Sequence, residues 1–401
     1  MKLAGLAVAA GLVVPLPAPA APARDWREAA TAALVETLVR PDEPGLAVLV
    51  RQDGRTVFAR GYGVRDLRSR ERIDPGTGFR LASVTKPFTA MAVMLLVRDG
   101  KLRYEAALTD VLPAFPAYGR AITIRHLLTH TSGLPDYEER MAAAEKGRAP
   151  LWTADRQIRD DEVLALLRSE TKGRFAPGTS WAYSNSGYVV LGVIVARVSG
   201  EPFGAFLRGR IFAPLGMEHT LAYEKGRNEV RSRAYGHTRD GGGFREADQS
   251  PTSATLGDGG VYSTLEDLAR WDEALRGNEL LSPAWMKPAL TRVTLADGSA
   301  TRWPPGEKSG DNLDPGGPVA YGFGWFLDPW HGRPRAWHHG DTTGFRTVIQ
   351  RFPDDALTVV VLANRDDLDA TSLALEVAAP WLRIPRTGRA DAPREGAPPG
   401  R

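Results

Sequence analysis

The feature that most constrains the fold is an apolar run that follows Pro87 and continues through residue 97. Within it, apolar side chains recur at the three-and-four spacing of an α-helix, at Phe88, Met91, Ala92, Leu95 and Leu96. The residues between them are also apolar, so the run predicts a helix that is enclosed on most sides, with Pro87 in its first turn. A chain of 401 residues, 43% hydrophobic and 25% charged, can bury a core of this size in one or two domains.

Two polar residues at the start of this helix form an S-x-x-K pair. Positions i and i+3 of a first turn share one face, which brings the Lys86 ammonium within reach of the Ser83 hydroxyl. Serine becomes a nucleophile when a base takes its proton, and lysine can act as that base only when neutral. Deprotonating an ordinary lysine at pH 7 costs roughly 4–5 kcal/mol, so burial or neighbouring positive charge must remove most of that cost. Alternatively, Lys86 stays charged and activates a different base.

A second S-x-x-K pair, Ser169 with Lys172, shows that this short motif alone does not identify a catalytic pair. It closes a polar-flanked helix and runs into Gly173, a signal for a helix end, so we interpret it as a solvated terminus. The competing interpretation of Ser83 and Lys86 is a helix cap with a lysine that extends its ammonium to solvent.

The two ends of the chain have distinct compositions. Residues 1–23 have the layout of a secretory signal: Lys2, a short apolar run and small residues before the cleavage point. The run is too short to span a membrane, so we expect a periplasmic or secreted protein without a stable membrane anchor; an uncleaved anchor is the alternative. Residues 24–384 form the expected folded domain, and the Pro-, Gly- and Arg-rich residues 385–401 predict a disordered tail.

Composition and charge exclude several classes of protein. The chain has no cysteine, which rules out disulfides, thiolate catalysis and cysteine-ligated metals. Its net charge of +3 comes from arginines scattered among carboxylates, without the basic runs typical of nucleic-acid binding. His126 and His130 have a spacing that can hold a metal, but no third ligand is evident nearby. We therefore predict structural hydrogen bonds for both histidines, and neither a metal nor another cofactor.

Strand patterns lie at both ends of the chain and helical patterns in the middle. The predicted strands are 45–51 and 55–59, joined at Asp53-Gly54, and 321–326, 345–351 and 357–362. The predicted helices include 26–39, 125–130, 188–198, 203–212 and 368–382, and a capping box of Ser263 with Glu266 starts another. This order predicts an α/β (α+β) fold, with an antiparallel sheet flanked by helices, a mostly helical lobe and a cleft between them.

Three motifs in a fixed order carry a family resemblance: Ser83-Val-Thr-Lys86, Tyr183-Ser-Asn185 and His338-His-Gly340. With them, the chain resembles the serine β-lactamase and penicillin-binding-protein superfamily. It is most similar to the class-C-related serine hydrolases, which include D-alanyl-D-alanine carboxypeptidases, D-aminopeptidases and carboxylesterases. Residues 127–134, 259–271, 321–325 and 340–345 are also similar to the family, and the resemblance covers residues 46–382.

The resemblance implies a role for each motif residue. Ser83 would form the acyl-enzyme, while Lys86 and Tyr183 would share proton transfer, with the choice of base left open. Asn185 would hydrogen-bond the lysine and the substrate amide. The backbone N–H groups of Ser83 and of Asp341, the residue after Gly340, would form the oxyanion hole.

One motif position departs from the family pattern, because His338 stands where β-lactamases and transpeptidases carry the lysine of K-T-G. That lysine supplies a fixed charge near the substrate carboxylate, whereas a histidine of pKa about 6.5 is mostly neutral at pH 7. The departure disfavours β-lactams and favours esters, small amides or D-amino-acid peptides as substrates. A second hypothesis is that Asp341 raises the pKa of His338 and keeps it charged.

The sequence thus predicts an exported serine hydrolase of small-molecule or short-peptide substrates, and it leaves the oligomeric state open. A Ser-His-Asp hydrolase is disfavoured because no G-x-S-x-G motif occurs. A metallohydrolase is the weakest alternative. The alternative outside enzymes is a catalytically inactive protein that binds peptidoglycan peptides or penicillin.

Overall fold

A computed structural model describes residues 25–306, 308 and 312–384, so the predictions for residues 1–23 and 385–401 lie outside the described residues. Its strands are β1 Leu46–Gln52, β2 Arg55–Tyr62, β3 Phe79–Arg80, β4 Leu221–Ala222, β5 His237–Asp240, β6 Gly243–Glu246, β7 Val261–Ser263, β8 Ala336–Thr342, β9 Phe345–Phe352 and β10 Leu357–Ala363. Its α-helices are α1 Trp26–Glu36, α2 Lys86–Arg98, α3 Leu108–Val111, α4 Ile124–Leu128, α5 Tyr137–Glu145, α6 Asp160–Arg168, α7 Asn185–Ser199, α8 Phe203–Leu207, α9 Leu265–Gly277, α10 Pro283–Met286 and α11 Ala370–Trp381.

The main sheet is antiparallel and unites the two ends of the chain. Its strand order is β2-β1-β10-β9-β8, so β1 pairs with both its hairpin partner and the late strand β10. The predicted first hairpin is confirmed, and its turn residues Asp53 and Gly54 both have positive φ, at +52° and +75°. These are the dihedral signs of a type I′ turn, which suits the twist of two-residue hairpins.

Both faces of the main sheet are covered, which explains why its central strands are apolar almost throughout. Alternate residues of β1 enter different cores, because side chains of a strand point to opposite faces. Leu46, Val48 and Val50 pack in a core with residues of α1 and α11, whereas Ala47 and Leu49 join the larger core that contains α2 and α9. A strand buried on both faces shows a continuous apolar run rather than an alternating one.

The helical lobe surrounds α2 and places its first residues against the sheet. Every residue of α2 from Lys86 to Leu96 is buried, and α2 packs on α7. A 3-10 turn, Ala82–Thr85, connects β3 to α2 and lies against the edge strand β8. We call this segment the Ser83 turn. The predicted fold class is therefore confirmed, with the start of the buried helix at the boundary between sheet and lobe.

Two strand predictions need correction. Residues 321–326 form no strand but a tight turn, with a bridge between Tyr321 and Phe326. Gly324 has φ of +77°, and its backbone lies so close to Pro87 that a Cβ would be 2.9 Å from the proline. In contrast, residues 336–342 were not predicted as a strand, yet they form the edge strand β8. Gly340 and Asp341 have low strand propensity, and pairing with β9 overrides it.

Helix boundaries differ from the predictions where side chains cap a helix or the backbone leaves the helical region. Thr264, not Ser263, caps α9 by accepting a hydrogen bond from the Asp267 N–H, so the predicted capping box is shifted by one residue. The helix predicted over 125–130 ends at Leu128, since His130 has φ of +61°. The helix predicted from 188 starts at 185, that over 26–39 ends at 36, and that over 203–212 continues after α8 as a π-helical turn.

None of the described helices is by itself long and apolar enough to cross a membrane, although α7 and the segment Phe203–Phe212 pass that test jointly, with a 76° bend between them.

Candidate active site

Ser83 lies on a tightly held turn. Ala82, directly before it, has φ of +48°, a conformation that costs a residue with a Cβ about 1–2 kcal/mol. The hydroxyl of Thr347 on β9 donates to the Leu81 carbonyl at 2.7 Å, and the Leu81 N–H donates to Val261 of β7 at 2.9 Å. Ser83 itself is only 9% exposed. The main sheet, through β9, and a smaller sheet of order β3-β7-β4, through β7, thus fix the turn, as expected where strain is stored at a functional site.

Lys86 is fully buried one helical turn further on, and three oxygens surround its Nζ. They are Ser83 Oγ at 3.0 Å, Asn185 Oδ1 at 2.9 Å and the Asp258 carbonyl at 3.0 Å. The amide and carbonyl oxygens can only accept hydrogen bonds. A charged Lys86 would donate to all three, whereas a neutral amine would donate to those two and direct its lone pair at the Ser83 hydroxyl. The geometry therefore suits both protonation states that the sequence left open.

The second motif meets this lysine where the starts of α2 and α7 come together. Asn185 is the first residue of α7, three residues before the start of the predicted helix, and Ser184 caps that helix by accepting from the Gly187 N–H at 3.0 Å. Tyr183 precedes the cap, with its ring centroid 4.8 Å from Lys86 Nζ. An ammonium at this distance interacts favourably with the π face of the ring. Both predicted residues therefore lie beside Lys86.

Asp258 is a site residue that sequence reasoning missed. Besides its carbonyl bond to Lys86, its buried carboxyl accepts from Tyr137 Oη at 3.4 Å, and its Oδ1 has no hydrogen-bond partner in the described part of the chain. Burial raises the pKa of this carboxyl above its ordinary value, and the nearby Lys86 opposes that rise. The glycine pair that follows Asp258 indicates close backbone packing and was the available signal.

His338 is buried on β8 and held between two polar groups. Its Nδ1 lies 2.6 Å from the His339 carbonyl, which can only accept, and its Nε2 lies 3.2 Å from Tyr321 Oη. The pair of contacts suits a neutral ring with the proton on Nδ1. Burial, and secondarily the charges of His339 and Lys86, hold the pKa of His338 well below its ordinary value. The hypothesis that Asp341 keeps His338 charged is therefore wrong, because the half-exposed Asp341 carboxylate cannot offset that burial.

Gly340 and Asp341 bring the edge strand against the Ser83 turn. A Cβ at position 340 would lie 2.1 Å from the Leu81 carbonyl oxygen and 3.0 Å from the Ser83 nitrogen. Only glycine permits this approach, which brings the backbone of Gly340 next to the backbone nitrogen of the nucleophile. Beyond Asp341, a groove of about 420 Å³ runs between the end of β8, α5 and residues 250–252. Asp341, the residue after the third motif, is among the residues that line this groove.

The two histidines proposed to make structural hydrogen bonds do so. His126 Nδ1 accepts from the Thr123 N–H and His130 Nδ1 from the Ser184 N–H, both at 3.1 Å. Across residues 25–306, 308 and 312–384, no group of three His, Cys, Asp or Glu side chains is arranged to hold a metal.

Two features lie apart from this constellation. Ser169 ends α6 as its exposed C-cap, as predicted for the second S-x-x-K pair. A larger groove, of about 910 Å³, lies between α6, α7 and residues 224–227, and none of the three motifs contributes to its lining. The motif residues, rather than the size of a groove, identify the candidate active site.

Comparisons with known proteins agree with the geometry. The model of the Beta-lactamase family matches residues 31–379. Penicillin-binding protein 4* of Bacillus subtilis is 32% identical over 348 residues, which is 83% of this chain and 71% of that protein. Esterase EstB of Burkholderia gladioli is 33% identical over 290 residues, covering 65% and 72% of the two chains. The octameric penicillin-binding protein homologue of Pyrococcus abyssi has a TM-score of 0.73 at 26% identity, covering 89% of this chain and 77% of that one.

Proposed function

The chain belongs to the Beta-lactamase family of serine hydrolases, and we propose that it hydrolyses esters, amides or short D-amino-acid peptides through an acyl-enzyme on Ser83. The observation that carries the proposal is the placement of Lys86. Its Nζ is within hydrogen-bond distance of the Ser83 hydroxyl and is held there by two fixed acceptors. A nucleophile in contact with an oriented proton acceptor is the arrangement that acyl transfer requires.

In the proposed first step, Ser83 Oγ attacks the substrate carbonyl carbon and loses its proton to Lys86 or Tyr183. The carbonyl oxygen becomes an oxyanion, which the backbone N–H groups of Ser83 and Asp341 would stabilise. Collapse of this intermediate breaks the bond to the leaving group, which takes up the proton. Water then attacks the acyl-enzyme by the reverse proton path, which releases the acid and restores Ser83.

The two candidate bases differ in what they require. A neutral Lys86 accepts the Ser83 proton directly through the 3.0 Å contact. A charged Lys86 cannot, but its ammonium beside the Tyr183 ring would favour the phenolate, which then acts as the base. Burial of Lys86 disfavours its charge and the surrounding oxygens favour it, so the two routes remain alternatives within one proposal.

The state of His338 bears on the substrate class. A neutral, buried imidazole at this position cannot pair with a substrate carboxylate as a fixed cation would. Substrates that do not depend on such a carboxylate contact, such as esters and amides, fit better than β-lactams.

We further propose that residues 1–23 direct export to the periplasm or the medium, which mass spectrometry of the mature N-terminus would test.

Active-site labelling tests the proposed function. We would treat the protein and its Ser83→Ala variant with a fluorophosphonate and with a labelled penicillin, and then locate any adduct by mass. Fluorophosphonate labelling of Ser83 without stable penicillin labelling supports an esterase or peptidase, while labelling by both reagents favours peptidoglycan-like or β-lactam substrates. Labelling by neither would overturn the enzyme proposal and favour a binding protein.

A further inference from the structure

His130 forms hydrogen bonds with the backbone on both sides of Tyr183. Its carbonyl oxygen accepts a hydrogen bond from the Ala182 N–H at 3.0 Å, and its side-chain Nδ1 accepts from the Ser184 N–H at 3.1 Å. One residue therefore holds the backbone immediately before and immediately after the tyrosine. Rotation of the Tyr183 backbone would break at least one of these buried bonds.

The His130 ring also restrains the phenol ring directly. The two ring centroids are 4.5 Å apart with an interplanar angle of 36°. On its other sides, His130 contacts Tyr321, Tyr188 and Trp181, at centroid distances of 4.6, 5.1 and 5.7 Å. The imidazole is 1% exposed, so it has no space into which it could move. Close-packed aromatic contacts of this kind fix ring positions.

Two further features indicate that this arrangement is specified rather than incidental. His130 has φ of +61°, a conformation that residues with a Cβ rarely adopt and that persists only where surrounding structure compensates for it. The Ser184 N–H points at Nδ1, so this nitrogen must be unprotonated to accept the bond. Burial, and to a lesser extent the charge of Lys86, lower the pKa of His130 and keep the ring neutral.

We propose that His130 is a positioning residue for catalysis, which holds the Tyr183 phenol in place beside Lys86 and Ser83. The proposal rests on the proposed function, since it concerns the proton-transfer step of the same reaction. Its consequence is that the residue affects the chemical step without touching substrate.

The chain offers a matched control in His126. Its Nδ1 accepts a backbone N–H at the same distance of 3.1 Å, in the same segment, but its partner is Thr123. Within the part of the chain that the structure describes, no hydrogen bond or ring contact of the His126 side chain involves a catalytic residue. We would compare His130→Phe, which keeps a ring but loses the acceptor, with His130→Asn and with His126→Phe. Asparagine retains an acceptor and tolerates positive φ.

The measurement is ester turnover per active site titrated with the fluorophosphonate, so that unfolded protein does not count. We expect His130→Phe to lower kcat by about ten- to a hundredfold with little change in KM, because small misplacements of catalytic groups have effects of that size. His130→Asn should recover part of this loss. His126→Phe should lower thermal stability but leave kcat within about twofold of the wild type.

Equal kcat values for His130→Phe and His126→Phe would overturn the inference. So would a Tyr183→Phe variant as active as the wild type, since the position of the phenol would then be irrelevant. In both cases the wild type turns over and the proposed function stands. A wild-type protein that neither labels nor turns over substrate would instead overturn the proposed function, and the inference with it.

Discussion

Replacement of Gly340 by alanine should separate catalysis from folding. The added Cβ would lie 2.1 Å from the Leu81 carbonyl oxygen and 2.5 Å from Thr347 Oγ1, whereas real Cβ atoms do not approach heavy atoms closer than 3.0 Å. The edge strand and the Ser83 turn must therefore separate by about 0.9 Å at that point. Overpacking of this kind typically costs about 1–3 kcal/mol in the free energy of unfolding.

The same displacement should affect the reaction far more than the fold. Asp341 follows Gly340 directly, so its N–H would move away from the oxyanion by a similar distance. A misplacement of about 1 Å can lower a rate about a hundredfold, and the loss of one oxyanion donor has a comparable effect. We therefore expect a fall of about a hundredfold in kcat/KM for an ester and in the rate of fluorophosphonate labelling.

The assay combines these two rates with urea denaturation of the same sample. Gly243→Ala is a suitable control, because Gly243 is also a strand glycine and a Cβ there would meet no atom within 4 Å. It should leave both rates and stability near those of the wild type. A Gly340→Ala protein that is folded and labels at the wild-type rate would refute the assignment of this strand to the oxyanion site.

Three further predictions follow from the same contacts. Lys86→Met should lower the acylation rate by about 10²–10⁴-fold, as for loss of a general base, while Lys172→Met in the second S-x-x-K pair should not change it; equal effects in a labelling time course would contradict the assignment. Thr347→Val should lower the free energy of unfolding by about 1–3 kcal/mol in urea, because the carbonyl that its hydroxyl reaches at 2.7 Å loses a buried partner; an unchanged midpoint would contradict this. Stability should also fall as pH drops below about 6.5, since the unfolded chain protonates His130 and His338 before the folded protein does. Each histidine contributes up to about 1.4 kcal/mol per pH unit to the slope of the free energy of unfolding against pH. The His130→Asn variant should lose the contribution of His130, and a slope unchanged by the substitution would contradict the assignment.

The sequence was sufficient wherever the determining interactions are local. The first hairpin follows from Asp53 and Gly54, whose conformations suit the turn, and the buried helix follows from its continuous apolar run. The contact between Ser83 and Lys86 follows from their spacing of three residues in a helical turn. Order along the chain then indicated Tyr183 as a partner, through the family resemblance rather than through any local rule.

Sequence reasoning was wrong where tertiary contacts override local preference. The strand β8 contains Gly340 and Asp341, residues that disfavour strands, and it forms because β9 supplies its hydrogen bonds. The predicted strand over 321–326 is absent because Gly324 turns the backbone against Pro87. In each case, a partner distant in sequence determines the local conformation.

The surroundings of the catalytic residues also depend on contacts between segments that are distant in sequence. Lys86 meets Asn185 and Asp258 across separations of 99 and 172 residues, and no periodicity relates such positions. Burial determines the charge of His338, which pattern alone left open. Which residues could react follows from the chain alone, because reactivity and short-range spacing are properties of side chains and helical turns. The distances between these residues, and the neutral state of His338, come from the folded arrangement, because they depend on packing between distant segments and on the exclusion of water.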